Sequence, residues 1–244
     1  MIFLSGMSRS GTTLLQGLVC NSPQTIGMTA ECSYLRALMD AYAQTKHPGF
    51  WAHAKYYWDS FEQFHGHHRR ILDSYVNIVR DKNMTGIIVQ KEPRLLRVWP
   101  ELHDFWPKAS YVIITRDPRD IVASQLNRTG NLQNLDSWFS EQMMNLYKAM
   151  HTKAKTIFVR YESLVSRPQS ELEKLSEKLR IEIPLGEWES VREDDSCSPL
   201  DGMLPSPSSV GRWKQDLPKD VSDGILAQRE WFKEVTGVDW FVEE

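Results

Sequence analysis

Cysteine is scarce in this chain, with three residues in 244, at Cys20, Cys32 and Cys197. Their spacing fits neither a zinc pattern nor a disulfide framework. This excludes a disulfide-stapled secreted scaffold, and the thiols read as buried or idle groups in a reducing compartment. Long hydrophobic runs are missing as well. No apolar stretch approaches the roughly 20 residues that a bilayer span requires, and the first apolar run begins directly after Met1, with no room for a signal peptide. The expectation is a soluble, cytoplasmic protein without a membrane segment. Charge of one sign is also lacking. A formal net charge of -3 argues against a broad nucleic-acid-binding surface, so any anion site has to be a local cluster. No repeat or linker divides the chain, and residues 1–244 are expected to form one domain.

One further absence is more telling. Ile2-Phe3-Leu4-Ser5 is an apolar run that stops at Gly6, and a loop of small residues leads to a new apolar pattern at Leu14, Leu15, Leu18 and Val19, one face of a helix. Strand, small-residue loop and helix N-terminus form an anion cradle, because loop N–H groups and the positive helix end converge on one point. Gly6 and Gly11 have the spacing of a Walker A loop, but the next position is Thr12, where an NTPase carries Lys. The cation lies inside the loop, at Arg9. The loop therefore suits a phosphate ligand other than ATP–Mg²⁺.

Thr85 to Gln90, Tyr111 to Thr115 and Ile157 to Val159 are short, nearly continuous apolar runs, as expected of strands buried on both faces. Helical patterns separate them: Ala30 to Thr45, a segment from Leu95 to Phe105 interrupted by Pro100, one that opens at Pro118, one capped by Asp136, Pro168 to Leu179, and Lys219 to Val235. The aromatic stretch Phe50 to Phe64 reads as core or lid packing, and His65-Gly66-His67-His68 as a solvated interruption without a metal-ligand set. The fold class is α/β, a P-loop-type parallel sheet flanked by helices on both faces. Ligands bind such sheets at the carboxyl ends of the strands. Arg9, Lys91, Arg116 and Arg160-Tyr161 fall at those ends, and Lys214 lies in the long aperiodic segment 186–217, which reads as a lid. So many cations around one loop suit a nucleotide phosphorylated at two places.

At this point the sequence resembles the sulfotransferases that use 3′-phosphoadenosine 5′-phosphosulfate (PAPS). Gly6 to Leu14 looks like their 5′-phosphosulfate loop. Tyr111 to Asp120, with Ser124 beyond it, looks like their 3′-phosphate motif. Val159-Arg160-Tyr161-Glu162-Ser163-Leu164 and Val210-Gly211-Arg212-Trp213-Lys214 match in the same order. The branch with protein-tyrosine sulfotransferases and bacterial relatives is the nearest, with Glu31 after the first helix and Lys91 at the end of a middle strand.

The resemblance implies that Ser10, Gly11, Thr12 and Thr13 hold the 5′-phosphate. Arg116 and Ser124 would bind the 3′-phosphate, with Arg212 or Lys214 closing over it, and Tyr161 would contact the adenine side. It implies in-line sulfuryl transfer with PAP as product and no metal. Arg9 and Lys91 would neutralise charge on the leaving oxygen, and Glu31 would accept the proton of the acceptor hydroxyl.

The residues alone leave alternatives open. Glu31 also suits the N-terminus of its helix, and Lys91 suits an ion pair with Glu92 or Asp117. A P-loop small-molecule kinase and a catalytically inactive nucleotide-binding protein are the rival functions. The acceptor, whether small molecule, sugar or peptide tyrosine, is not written in the sequence, although a small or sugar-like molecule is modestly preferred. Ser196 and Ser198 are the candidates for a serine that positions the sulfuryl group.

Overall fold

Parallel pairing of four short strands organises the computed structural model, which describes residues 1–83, 85–130, 134–186 and 207–242. Among them β1 (Ile2–Gly6) is followed by α1 (Thr12–Cys20), α2 (Ser33–Thr45), α3 (Pro48–Ala54) and α4 (Phe61–Asn83). Then come β2 (Val89–Lys91), a tight turn at Pro93–Val98, α5 (Trp99–Phe105), β3 (Ser110–Thr115), α6 (Pro118–Thr129) and α7 (Leu135–Met150). The chain continues through β4 (Thr156–Arg160), α8 (Tyr161–Ser166), α9 (Pro168–Leu179), α10 (Trp213–Asp216), α11 (Lys219–Leu226) and α12 (Arg229–Thr236).

The strand order is β2-β1-β3-β4, all pairs parallel. Alternation sends Ile2, Leu4, Val112 and Ile114 to one face, where they pack with Leu15, Leu18, Leu164 and Leu175 of α1, α8 and α9. Phe3, Tyr111 and Ile113 go to the other face, against Leu35, Leu72, Trp99, Ile121, Leu146 and Phe232. Strands covered on both faces have no room for polar alternation, hence the continuous apolar runs. The register Leu4↔Lys91, Gly6↔Ile114 and Thr115↔Arg160 lines up the carboxyl ends. After β1 the chain leaves to one face with α1; after β3 it leaves to the other with α6. The crevice between those exits is where open α/β sheets bind ligands.

Several local expectations are corrected. His65-Gly66-His67-His68 does not interrupt a helix but lies inside α4, with Tyr42 and His65 sharing a 2.7 Å hydrogen bond. The helix expected from Ala30 begins at Ser33, so Glu31 stands on the loop before it. Pro100 opens α5 instead of interrupting it. Asn134, not Asp136, is the N-cap residue of α7, and Asp136 sits in its first turn. The closing helix is two, α11 and α12. Cys197, Ser196, Ser198 and most of the late segment, 187–206, lie outside the described residues.

Candidate active site

The loop after β1 is shaped by close approach. A Cβ on Gly6 would lie 2.5 Å from Ser10 Oγ and 2.6 Å from the Ile114 carbonyl. Gly11 has φ +101 and leaves room for the Tyr161 ring, whose Cδ2 would be 2.6 Å from a Cβ there. Between them Arg9 adopts φ 75, a conformation that costs a non-glycine residue energy and persists only when neighbours enforce it. Gln142 of α7 helps to do so by accepting a hydrogen bond from the Ser8 N–H at 2.9 Å. The N-cap residue of α1, Gly11, has no side chain with which to cap it, and the first N–H groups of such a helix suit an anion. Ser10 Oγ is buried and has no hydrogen-bond partner among the described residues. Thr12, in the place of the Walker lysine, is buried.

On one side of this loop, at the end of β2, the Lys91 side chain is 3% exposed. Its Nζ donates to Glu31 Oε1 at 2.7 Å and to Thr13 Oγ1 at 3.3 Å. The open question of Lys91's partner is thereby answered: it is Glu31, not Glu92 or Asp117. Glu92 instead pairs with Arg36 Nε at 2.7 Å, and burial raises its pKa despite that guanidinium. Asp117 is bound by Arg119. Glu31 is 46% exposed, so the buried ammonium meets a carboxylate that faces solvent. The segment carrying Glu31 is tied to the sheet. Cys32 N–H donates to the Lys91 carbonyl at 3.2 Å, and Gln16 Nε2 donates to the Thr29 carbonyl at 2.8 Å.

On the other side of the loop, Arg116 leaves β3 and is 6% exposed. Its Nη1 donates to the Arg9 carbonyl at 3.0 Å and its Nη2 to the Ser209 carbonyl at 2.8 Å, while its guanidinium lies 4.5 Å from the Tyr161 ring centre. Its Nε is buried without a hydrogen-bond partner among the described residues. Arg9 Nε donates to Ser124 Oγ at 3.1 Å, and Ser124 lies about two turns into α6. Tyr161 and Ser209 share a hydroxyl–hydroxyl bond of 2.6 Å. Arg9, Arg116, Ser124 and Tyr161 thus converge. Arg212 and Lys214 lie on the neighbouring segment, where Arg212 pairs with Asp216 at 3.2 Å and Lys214 Nζ is 5.6 Å from the Trp213 ring.

No sequence motif points to Gln142 or Ser209, whose roles come from chain segments far away along the polymer. Glu162 at least adjoins Arg160-Tyr161. Its Oε1 accepts from the Asp117 N–H at 2.7 Å, and burial raises its pKa.

The arrangement places the loop and the N-terminus of α1 at the carboxyl ends of the strands, with a lysine–carboxylate pair on one flank and a buried arginine on the other. Two of its polar atoms, Ser10 Oγ and Arg116 Nε, are buried without a hydrogen-bond partner among the described residues.

Comparison with known proteins agrees with this architecture. The model of the sulfotransferase family matches residues 2–184. A putative protein-tyrosine sulfotransferase of Caenorhabditis briggsae is 20% identical over 197 residues, covering 75% of this chain and 66% of its own length. Protein-tyrosine sulfotransferase A of Caenorhabditis elegans is 22% identical over 245 residues, covering 90% of this chain and 62% of its own. The chain thus spans a little under two thirds of the length of these curated relatives. Among solved structures, the sulfotransferase domain from the Synechococcus PCC 7002 olefin synthase superposes with a TM-score of 0.61 at 18% identity, covering 95% of this chain and 94% of its own. The sulfotransferase domain from the curacin biosynthetic pathway gives 0.57 at 15%, with coverage of 93% and 96%. At such identities the structures speak for the fold alone, and the match to the family model decides the rest: this chain belongs to the sulfotransferase family.

Proposed function

We propose that the protein transfers the sulfuryl group of PAPS to an acceptor hydroxyl in line, with Glu31 as general base. The observation that carries this reading is the Lys91–Glu31 pair, 2.7 Å apart and reaching Thr13 at the edge of the loop. PAPS supplies a sulfuryl group activated by its bond to the 5′-phosphate.

The backbone of Ser10, Gly11, Thr12 and Thr13, with the uncapped end of α1, would hold that phosphate. Arg116 and Ser124 would hold the 3′-phosphate, helped by Arg212 or Lys214, and Tyr161 would line the adenine side. Lys91 supplies fixed positive charge where negative charge grows on the leaving oxygen. Being buried, it stays oriented and costs no reorganisation during the reaction. Glu31 takes up the acceptor proton from the solvent side, and the Lys91 bond fixes which way its carboxylate turns. Arg9 is assigned with Lys91 to the leaving-group charge. Its Nε donates to Ser124 Oγ, and that hydroxyl can still donate its own proton to a phosphate oxygen. The acceptor is a hydroxyl-bearing molecule, and the curated relatives' names put tyrosine peptides into the test panel beside sugars and phenols.

The test is thermal stabilisation by 3′,5′-ADP, followed by transfer from labelled PAPS to the panel. 3′,5′-ADP is expected to stabilise the protein and ATP–Mg²⁺ is not. Glu31→Gln lowers turnover by about 10²–10⁴-fold with near-normal 3′,5′-ADP affinity. Lys91→Ala lowers kcat by about 10²–10³-fold. Stabilisation by ATP–Mg²⁺ alone overturns the donor assignment. Transfer that survives Glu31→Gln removes the base from the mechanism.

A further inference from the structure

The segment after the anion cluster is fastened across the cleft by a residue that the reaction itself does not need. Asp120, in the first turn of α6, is 1% exposed. Its Oδ2 accepts from the Gly211 N–H at 2.8 Å and its Oδ1 from the Trp213 N–H at 3.0 Å. Both oxygens of a buried carboxylate are thus spent on the backbone of a segment some 90 residues away. Burial raises its pKa, opposed by the two amides and by Arg116.

The same strap is held at three further points, one of them the 2.7 Å hydrogen bond that Asn127 Nδ2 donates to Asp216 Oδ2. Ser209 is bound through its carbonyl by Arg116 and through its hydroxyl by Tyr161. The Trp213 ring lies on the Arg119 guanidinium, 3.9 Å from ring centre to carbon, and Arg119 Nη2 is itself fixed by Asp117 at 2.8 Å. Arg212 stands between the two amides that Asp120 holds, and Lys214 follows directly after. A cation between two tethered amides projects from a fixed backbone, whereas the same cation on a loose loop loses most of its directing value to conformational entropy.

We propose that Asp120 is a positioning residue, fixing strap 209–216 over the Arg116 end of the cleft so that Arg212 and Lys214 meet the 3′-phosphate of the nucleotide. This rests on the donor assignment made above. Asp120 touches no ligand; it acts through the strap.

The experiment compares affinities for 3′,5′-ADP and 5′-AMP by calorimetry, on the full chain and on Asp120→Asn. Asn keeps one acceptor oxygen but turns an NH₂ towards the other amide. The wild type is expected to prefer 3′,5′-ADP over 5′-AMP. Asp120→Asn lowers 3′,5′-ADP affinity about tenfold and leaves 5′-AMP within about twofold. Trp213→Ala loosens the same strap without touching the buried carboxylate, and the same selective loss is expected of it. Lys214→Ala in the Asp120→Asn background then costs less than it does alone. Equal weakening of both nucleotides, or no change in either variant, overturns the strap proposal and leaves the donor assignment standing. A wild type without preference for the 3′-phosphate removes the donor assignment and this proposal together.

Discussion

Gly11 shows how much of the site hangs on a missing methyl group. At φ +101, a side chain there is strained whatever the space, and its Cβ would lie 2.6 Å from the Tyr161 ring. That ring is packed under Arg116 and hydrogen-bonded to Ser209, so it has nowhere to retreat. Gly11→Ala is therefore expected to destabilise the fold by about 1–3 kcal/mol in urea unfolding. It should weaken 3′,5′-ADP binding at least tenfold by calorimetry, since pushing Tyr161 aside disturbs Arg116 and the loop together. Unchanged affinity would show that the ring yields freely. At this scale the sequence is informative where chemistry is local. Gly6, Arg9 and Gly11 stand in one loop, and the absent Walker lysine at Thr12 is visible without a structure. The partnership of Lys91 with Glu31 is not, because 60 residues separate them and Glu92 is the nearer carboxylate along the chain.

Among the elements, β3 is legible almost to the residue, since Tyr111 to Ile114 is an unbroken apolar run and is buried on both faces. The run Thr85 to Gln90 misleads. Ile87 pairs with the loop before Glu31, its N–H to the Gln24 carbonyl and its carbonyl to the Ile26 N–H, and the pairing with β1 begins only at the Ile88 carbonyl and continues through Val89–Lys91. A continuous apolar run does not say which neighbour it pairs with. Helix α4 reads as broken at His65-Gly66 because composition there looks like a loop. Phe61, Phe64, His68, Leu72 and Tyr75 nevertheless keep one face at helical spacing against the core. Packing of that face outweighs the propensity of one glycine. A Cβ added at Gly66 would meet nothing within 4 Å. Gly66→Ala is accordingly expected to stabilise the protein by about 0.5–1 kcal/mol in chemical denaturation. A loss of stability would mean that the helix needs glycine there for a reason its surroundings do not reveal.

Across the whole molecule, one buried ring contributes to acid sensitivity. His68 packs against Tyr42, Phe64 and Phe105, its Nε2 has no hydrogen-bond partner among the described residues, and its pKa falls to about 4. Burial is the main cause, with the charges of His65 and His67 adding to it. Unfolded, the ring takes up a proton near its ordinary value of 6.5. Between about 6.5 and 4 the unfolded chain thus binds more protons than the folded one, and stability falls as pH falls through that window. Glu92, Asp120 and Glu162 act with the opposite sign, because burial raises their pKa values and the folded state keeps their protons longer. Comparing wild type with His68→Phe, which keeps a ring against Tyr42, isolates the histidine. The variant should lose less stability between pH 6.5 and 4 in thermal scans. Parallel curves would remove His68 as the cause.

The place of β1 in the sheet also has a consequence for the order of assembly. It lies between β2 and β3, and its partners begin at Val89 and Ser110. A ribosome adding roughly 5–20 residues per second finishes β1 several seconds before either neighbour exists. For that interval Ile2, Phe3 and Leu4 have no sheet to join, and the phosphate loop they carry has no frame. Slowing translation before Ser110 should therefore lengthen the time this segment is exposed and increase aggregation of the nascent chain.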